Sequence, residues 1–159
     1  MNNYINYYNS HLTMQLIKKI GNWLKHVFEL EKFDYEKIVI EKEVVDGILE
    51  LAQMTSPKEF IAFLEGRQRK KVLRIYGLAY QEYFANEHST LSKINFPITS
   101  RIVGSVHSHP GPSNKPSGAD LRFFSKRGMV HLIIKSPYRE KDIQAYDIKG
   151  NKIVFEVVG

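Results

Sequence analysis

The segment His107-Ser108-His109-Pro110, followed by Ser117-Gly118-Ala119-Asp120, restricts this chain more than any other stretch. Histidines at i and i+2 share one face in an extended strand, where successive side chains alternate, and Ser108 then points to the opposite face. Residues 101–106 (Arg-Ile-Val-Gly-Ser-Val) read as the strand that delivers the two imidazoles, and Pro110 ends it by withholding a ladder donor. Residues 111–116 (Gly-Pro-Ser-Asn-Lys-Pro) are dense in turn formers and predict a loop. Asp120 falls in the first turn of the helix that follows, from which its carboxylate can return towards the histidines. Two imidazoles and one carboxylate on a zinc ion leave the fourth position open for water, the pattern of a catalytic site. Taken apart, the pieces are ordinary. His-x-His occurs on many strands, and Ser-x-x-Asp ahead of an apolar run is also the sequence of a helix capping box. Their conjunction at this spacing favours the metal.

The rest of the chain reads as scaffold. From Leu12 to Leu30 the apolar residues Leu16, Ile17, Ile20, Trp23, Leu24, Val27 and Phe28 recur at helical spacing, which predicts an amphipathic N-terminal helix. Residues 1–33 are therefore set apart as a helical extension and residues 34–159 as the main domain. So apolar a stripe is expected to dock on protein, across a homodimer in the simplest arrangement, because exposed patches of that size usually mark an interface. A membrane role is not expected, since Glu29 and Glu31 dilute the positive charge at the helix end.

Beyond the extension, strands are predicted over 37–43, 59–64, 72–83, 99–109 and 131–135. Helices are predicted over 44–54, stopped at Thr55-Ser56-Pro57, and over 117–127, with Gly128 as its C-cap. Residues 67–71 read as a basic turn and 82–95 as a loop. Residues 143–148 and 153–158 read as a terminal hairpin around Gly150-Asn151. Strands interleaved with helices predict an α/β domain with a mixed central β-sheet flanked by helices.

Composition serves mainly to exclude. The 159 residues contain no cysteine, which rules out disulfides, thiolate zinc sites and cysteine-protease chemistry and accords with a cytoplasmic protein. The formal charge of +6 suits acidic partners, yet no RNP motif, helix-turn-helix pattern or basic stripe interleaved with aromatics points to nucleic acid. No run approaches the ~18 to 20 apolar residues of a membrane-spanning helix. The first residues lack the basic and apolar regions of a signal peptide.

His-x-His-Pro, six residues, Ser, two residues and Asp together resemble the JAMM signature of MPN-domain metalloproteases, complete in this sequence and covering residues 35–159. The resemblance implies a cytidine-deaminase-like three-layer fold and one zinc ion per chain on His107, His109 and Asp120. Strand parity alone leaves Glu59 and Glu65 equal as general base. The segment Ser-Pro-Lys-Glu-Phe-Ile, with Glu two residues after Pro, resembles the family's and favours Glu59, leaving Glu65 on the surface. Ser117 is implied as oxyanion donor, a role compatible with capping the helix. Ser108 is read as structural and His131 as a core or edge histidine.

The implied activity is that of a zinc metallo-isopeptidase. Its substrate would be the bond after the C-terminal glycine of a ubiquitin-like or sulfur-carrier-type protein, threaded along a strand edge. A moderate loop around residues 84–98 and a short one after Lys135 accord with a compact prokaryotic-type member. The alternatives are a zinc hydrolase of small peptides or amides, which a narrow closed pocket would favour, and a non-catalytic MPN scaffold, which typically lacks the ligands found here.

Overall fold

The computed structural model describes residues 35–80, 101–126 and 128–159. The expected N-terminal helix over 12–30 and the expected loop over 82–95 lie outside them. The described residues form an eight-stranded mixed sheet with a helix on each face. The first strand, β1 (Lys37–Glu41), leads directly into helix α1 (Lys42–Thr55). Then come β2 (Ile61–Arg69), β3 (Val72–Tyr80), β4 (Ile102–His109) and helix α2 (Gly118–Phe124). The chain continues through β5 (Val130–Lys135), a single 3-10 turn (Glu140–Asp142), β6 (Ile143–Tyr146), β7 (Lys152–Ile153) and β8 (Glu156–Val158). The strand order across the sheet is β7-β6-β5-β4-β2-β3-β1-β8. The pairs β1–β3, β1–β8 and β4–β5 are parallel and the remaining pairs antiparallel.

Side-chain alternation divides the core between the two faces. On β5, Leu132 and Ile134 belong to the larger cluster, with Val44, Val45, Ile48 and Ala52 of α1, while Ile133 joins Phe124 of α2 and Tyr146 on the other face. Helix α1 packs because Val44, Val45, Ile48 and Ala52 fall on one buried stripe. It stops at Thr55, ahead of Ser56-Pro57, as a proline's effect on the preceding residue requires.

Two segments differ from expectation. The basic stretch after Gly66 is strand rather than turn: β2 runs to Arg69, with Arg67 paired to Arg74 and Arg69 to Val72. Its charged side chains alternate on an exposed face, and the reversal falls at Lys70, whose φ is +56°. The terminal segment is also not one hairpin. Only Lys152–Ile153 pairs back on β6, and β8 crosses to the far edge of the sheet beside β1.

The unit β4–α2–β5 is a crossover between adjacent parallel strands, drawn together at its base. A Cβ added to Gly104 would stand 1.7 Å from the Val130 carbonyl oxygen, so only glycine fits there. At the other end of β4, its carboxyl end, stand the two histidines. Open α/β sheets bind ligands at that end of their strands.

Candidate metal centre

His107 and His109 leave β4 on one face, beneath α2, and Asp120 enters from the first turn of that helix. Ser117 is the N-cap. Its Oγ accepts from the Asp120 N–H at 3.2 Å, and the Asp120 carboxylate accepts from the Ser117 N–H at 2.7 Å. The capping box orients the carboxylate towards the strand. His107 Nδ1 lies 3.0 Å from Asp120 Oδ1, and His109 Nε2 lies 3.4 Å from Asp120 Oδ2. His107 and Asp120 are buried.

The nitrogens facing away from Asp120 are also engaged. His109 Nδ1–H donates to the Ser113 carbonyl at 3.1 Å. His107 Nε2 meets Ser105 Oγ at 3.0 Å, and the same hydroxyl meets His131 Nδ1 at 2.9 Å. The aromatic residues of α2 close over this row. Phe124 stacks on His131 at 4.0 Å and meets His107 edge-on, as does Phe123.

The electrostatics follow from these contacts. Burial pushes the Asp120 carboxyl up, but hydrogen bonds with His107, His109 and Ser117 outweigh it and hold the group far below the usual carboxylate range. The Asp120 hydrogen bond raises His109; burial opposes the rise, while the Ser113 carbonyl and the charges of Asp120 and Glu59 add to it. His131 goes the other way: burial, reinforced by the charge of His107, pushes it down to about 3.

Glu59 reaches the same place from the segment that leads into β2. Ile61 pairs with His107, so continuing the antiparallel register two residues back sets Glu59 beside His109. Two bonds tie the intervening backbone to β4: Ser108 N–H donates to the Phe60 carbonyl at 3.1 Å, and Phe60 N–H donates to Ser108 Oγ at 2.8 Å. Ser108 is thus a strand clasp on the face away from the imidazoles. Glu59 is exposed at the mouth of the site. Glu65 pairs instead with Ile102, at the opposite end of β4, and lies over Gly77. Position along β2 separates the two glutamates where parity did not.

Among the described residues no group of three or more His, Cys, Asp or Glu side chains already stands in metal-holding geometry, although Asp120 contacts both imidazoles directly. The donor set nevertheless fits zinc. Zinc bonds of about 2.0–2.1 Å in tetrahedral geometry set neighbouring ligand atoms roughly 3.3 Å apart. The contacts of 3.0 and 3.4 Å bracket that value, so the three side chains are spaced as zinc ligands would be. Ser105 and His131 carry part of the arrangement and were not singled out for it by the sequence. Ser105 shares strand parity with both histidines, and a histidine inside an apolar strand was the other available signal.

Residues 41–149 match the family model of prokaryotic homologues of the JAB domain. A protein of Haloferax volcanii named probable metalloprotease is 34% identical over 127 residues, covering 72% of this chain and 76% of the relative. The crystal structure of a JAB1/MPN domain protein from Archaeoglobus fulgidus shares 32% identity, with a TM-score of 0.60 over 76% of this chain and 98% of that one. A structure described as JAMM, a metalloprotease-like zinc site in the proteasome and signalosome, also shares 32% identity, with a TM-score of 0.59 over 77% and 99% of the two chains.

Proposed function

Because the chain belongs to the family of prokaryotic JAB-domain homologues, we propose that it is a zinc metallo-isopeptidase that cleaves the bond after the C-terminal glycine of a ubiquitin-like or sulfur-carrier-type protein. The observation that carries the reading is the convergence of His107, His109 and Asp120, with the outward nitrogen of each ring already engaged. These three residues would hold the ion. Bound there, zinc lowers the pKa of a water from about 15.7 towards ~7 and polarises the substrate carbonyl.

The chain supplies the rest. Glu59, exposed beside His109, accepts the proton of the attacking water and returns it to the departing lysine amine; such general acid–base catalysis contributes about 10²- to 10⁴-fold. Ser117 Oγ uses a lone pair to accept from the Asp120 N–H. Its own O–H stays free to donate to the oxygen on which charge develops. Capping and oxyanion stabilisation therefore use different parts of one hydroxyl. Ser108 holds the Glu59 segment at a fixed depth through the Phe60 N–H.

The test pairs metal analysis with cleavage of a fusion in which a ubiquitin-like protein ends in glycine on a lysine side chain. Wild-type protein is expected to hold one zinc per chain and to cut after the glycine. Glu59→Gln should keep the zinc and lose about 10²- to 10⁴-fold in rate, and Glu65→Gln should do neither. Cleavage of short peptides with no cleavage of the protein fusion would redirect the reading to a small-peptide hydrolase. A Glu59→Gln protein of full activity would remove the proposed base.

A further inference from the structure

The face of the sheet beneath α2 carries a row of polar side chains through an apolar layer: His131 on β5, then Ser105, His107 and His109 on β4. Ser105, His107 and His131 are buried, His131 completely. Packing alone does not call for them, because an aliphatic residue at 131 would fill the space beside Phe124 without burying ring nitrogens. Buried polar groups are normally retained where they are hydrogen-bonded. Here His131 Nδ1 is bonded to Ser105, while Nε2 has no hydrogen-bond partner among the described residues. His131 thus turns its one well-formed hydrogen bond toward the hydroxyl that touches His107, with the Phe124 backbone carbonyl as a weaker neighbour.

That hydroxyl differs in kind from the group behind His109. The Ser113 carbonyl only accepts, so His109 Nδ1 must carry a proton whatever the state of Nε2, which faces Asp120. A serine hydroxyl donates and accepts, and can turn either way. Its direction has to be set by its other partner, and that partner is His131.

We propose that Ser105 and His131 are positioning residues for the metal centre, acting as a reversible hydrogen-bond relay that selects which nitrogen of His107 carries the proton. The proposal rests on the metal-site reading above. Without metal, His107 Nδ1–H donates to Asp120, Nε2 accepts from the Ser105 hydroxyl, and Ser105 Oγ accepts from His131 Nδ1–H. With Nδ1 of His107 given to the metal, the row runs the other way. His107 Nε2–H donates to Ser105, the Ser105 O–H donates to His131 Nδ1, and the His131 proton sits on Nε2. The proton displaced from His107 Nδ1 is released to solvent and His131 Nε2 takes one up from water, so neither ring changes its charge. The partner behind a metal-bound histidine orients the ring and raises its basicity.

Two readouts test this on the purified full chain. In zinc competition with a chromophoric chelator, Ser105→Ala and His131→Leu should each bind about 10- to 100-fold more weakly than wild type, the usual effect of removing such a partner. Ser105→Thr keeps the hydroxyl and His131→Gln keeps an acceptor, and both should stay within about 3-fold. If Ser105→Ala fails to fold, the His131 pair carries the same comparison. Ring nitrogen NMR should find the His131 proton on Nδ1 in metal-free protein and on Nε2 after zinc is added. Unchanged affinity in folded Ser105→Ala and His131→Leu, or one His131 tautomer in both states, would overturn the relay while leaving the metal site standing. A wild-type protein that binds no zinc would overturn both.

Discussion

Replacing His131 by Gln removes from the core a group whose proton affinity differs sharply between the folded and unfolded chain. Unfolded, the imidazole titrates near 6.5; folded, burial pushes it down to about 3. Between those values the unfolded chain binds a proton that the folded chain does not, so stability falls as the pH falls. The slope is about 1.4 kcal/mol per pH unit, and from pH 7.5 to 5.0 the accumulated loss is roughly 2 kcal/mol, nearly all of it below 6.5. His109 works in the opposite sense, because its pKa is raised: its stabilisation is complete below the unfolded value and disappears as the pH rises through the folded one. Both proteins contain His109, so it cancels in the difference. Asp120 and Asp142, both lowered, lose their contributions only in more acid solution, below about 3.9. Urea denaturation of metal-free wild type and His131→Gln across pH 5.0–7.5 reads the effect directly. The wild-type advantage should shrink by roughly 2 kcal/mol towards pH 5.0. Parallel stability curves would refute the reasoning, and a growing wild-type advantage would mean that the buried ring is charged.

Two further substitutions probe how β4 and α2 are held. Gly104→Ala drives a Cβ to 1.7 Å from the Val130 carbonyl oxygen, which β4 and β5 cannot accommodate without separating. The expected loss is about 3 kcal/mol, read as denaturation midpoint or soluble yield, and an unchanged midpoint would contradict the close approach. Phe124→Ala empties the fully buried position that stacks on His131 and should remove about 3–5 kcal/mol in chemical denaturation. A loss below ~1 kcal/mol would mean that α2 collapses onto the sheet without it.

What the sequence disclosed about the site was what local geometry controls. Strand alternation put His107 and His109 on one side and Ser108 on the other, and the Ser-x-x-Asp spacing returned Asp120 to them through a capping box. The order of strands and helices also indicated a mixed sheet flanked by helices. Glu59 could not be separated from Glu65 by parity, since the deciding fact is which end of β2 pairs with which end of β4. That is a long-range register, and no local pattern encodes it. Ser105 and His131 lie 26 residues apart and meet only through the parallel pairing of β4 with β5. The extension of β2 through Arg67 and Arg69 was hidden for a different reason. Basic residues after a glycine resemble a turn until the partner strand shows them alternating on an exposed face. The splitting of the last segment between β7 and β8 has the same origin, because Val154 and Phe155 carry no strong break signal to mark the departure.

The placement of β8 bears on when, during synthesis, this sheet can be finished. Val39 pairs with Glu156 and Glu41 with Val158, partners separated by more than a hundred residues of chain. While the ribosome is still making the middle of the domain, β1 can find β3 but keeps its other edge open, with Val39 and Ile40 beside it. An unpaired edge of that composition is a template for other chains. The interval ends only after β8 has cleared the exit tunnel, at a translation rate of about 5–20 residues per second. Slow codons between β3 and β8 would lengthen the exposure. Truncation just before Glu156 would make it permanent, so such a fragment is expected to aggregate although its metal-site residues are all present.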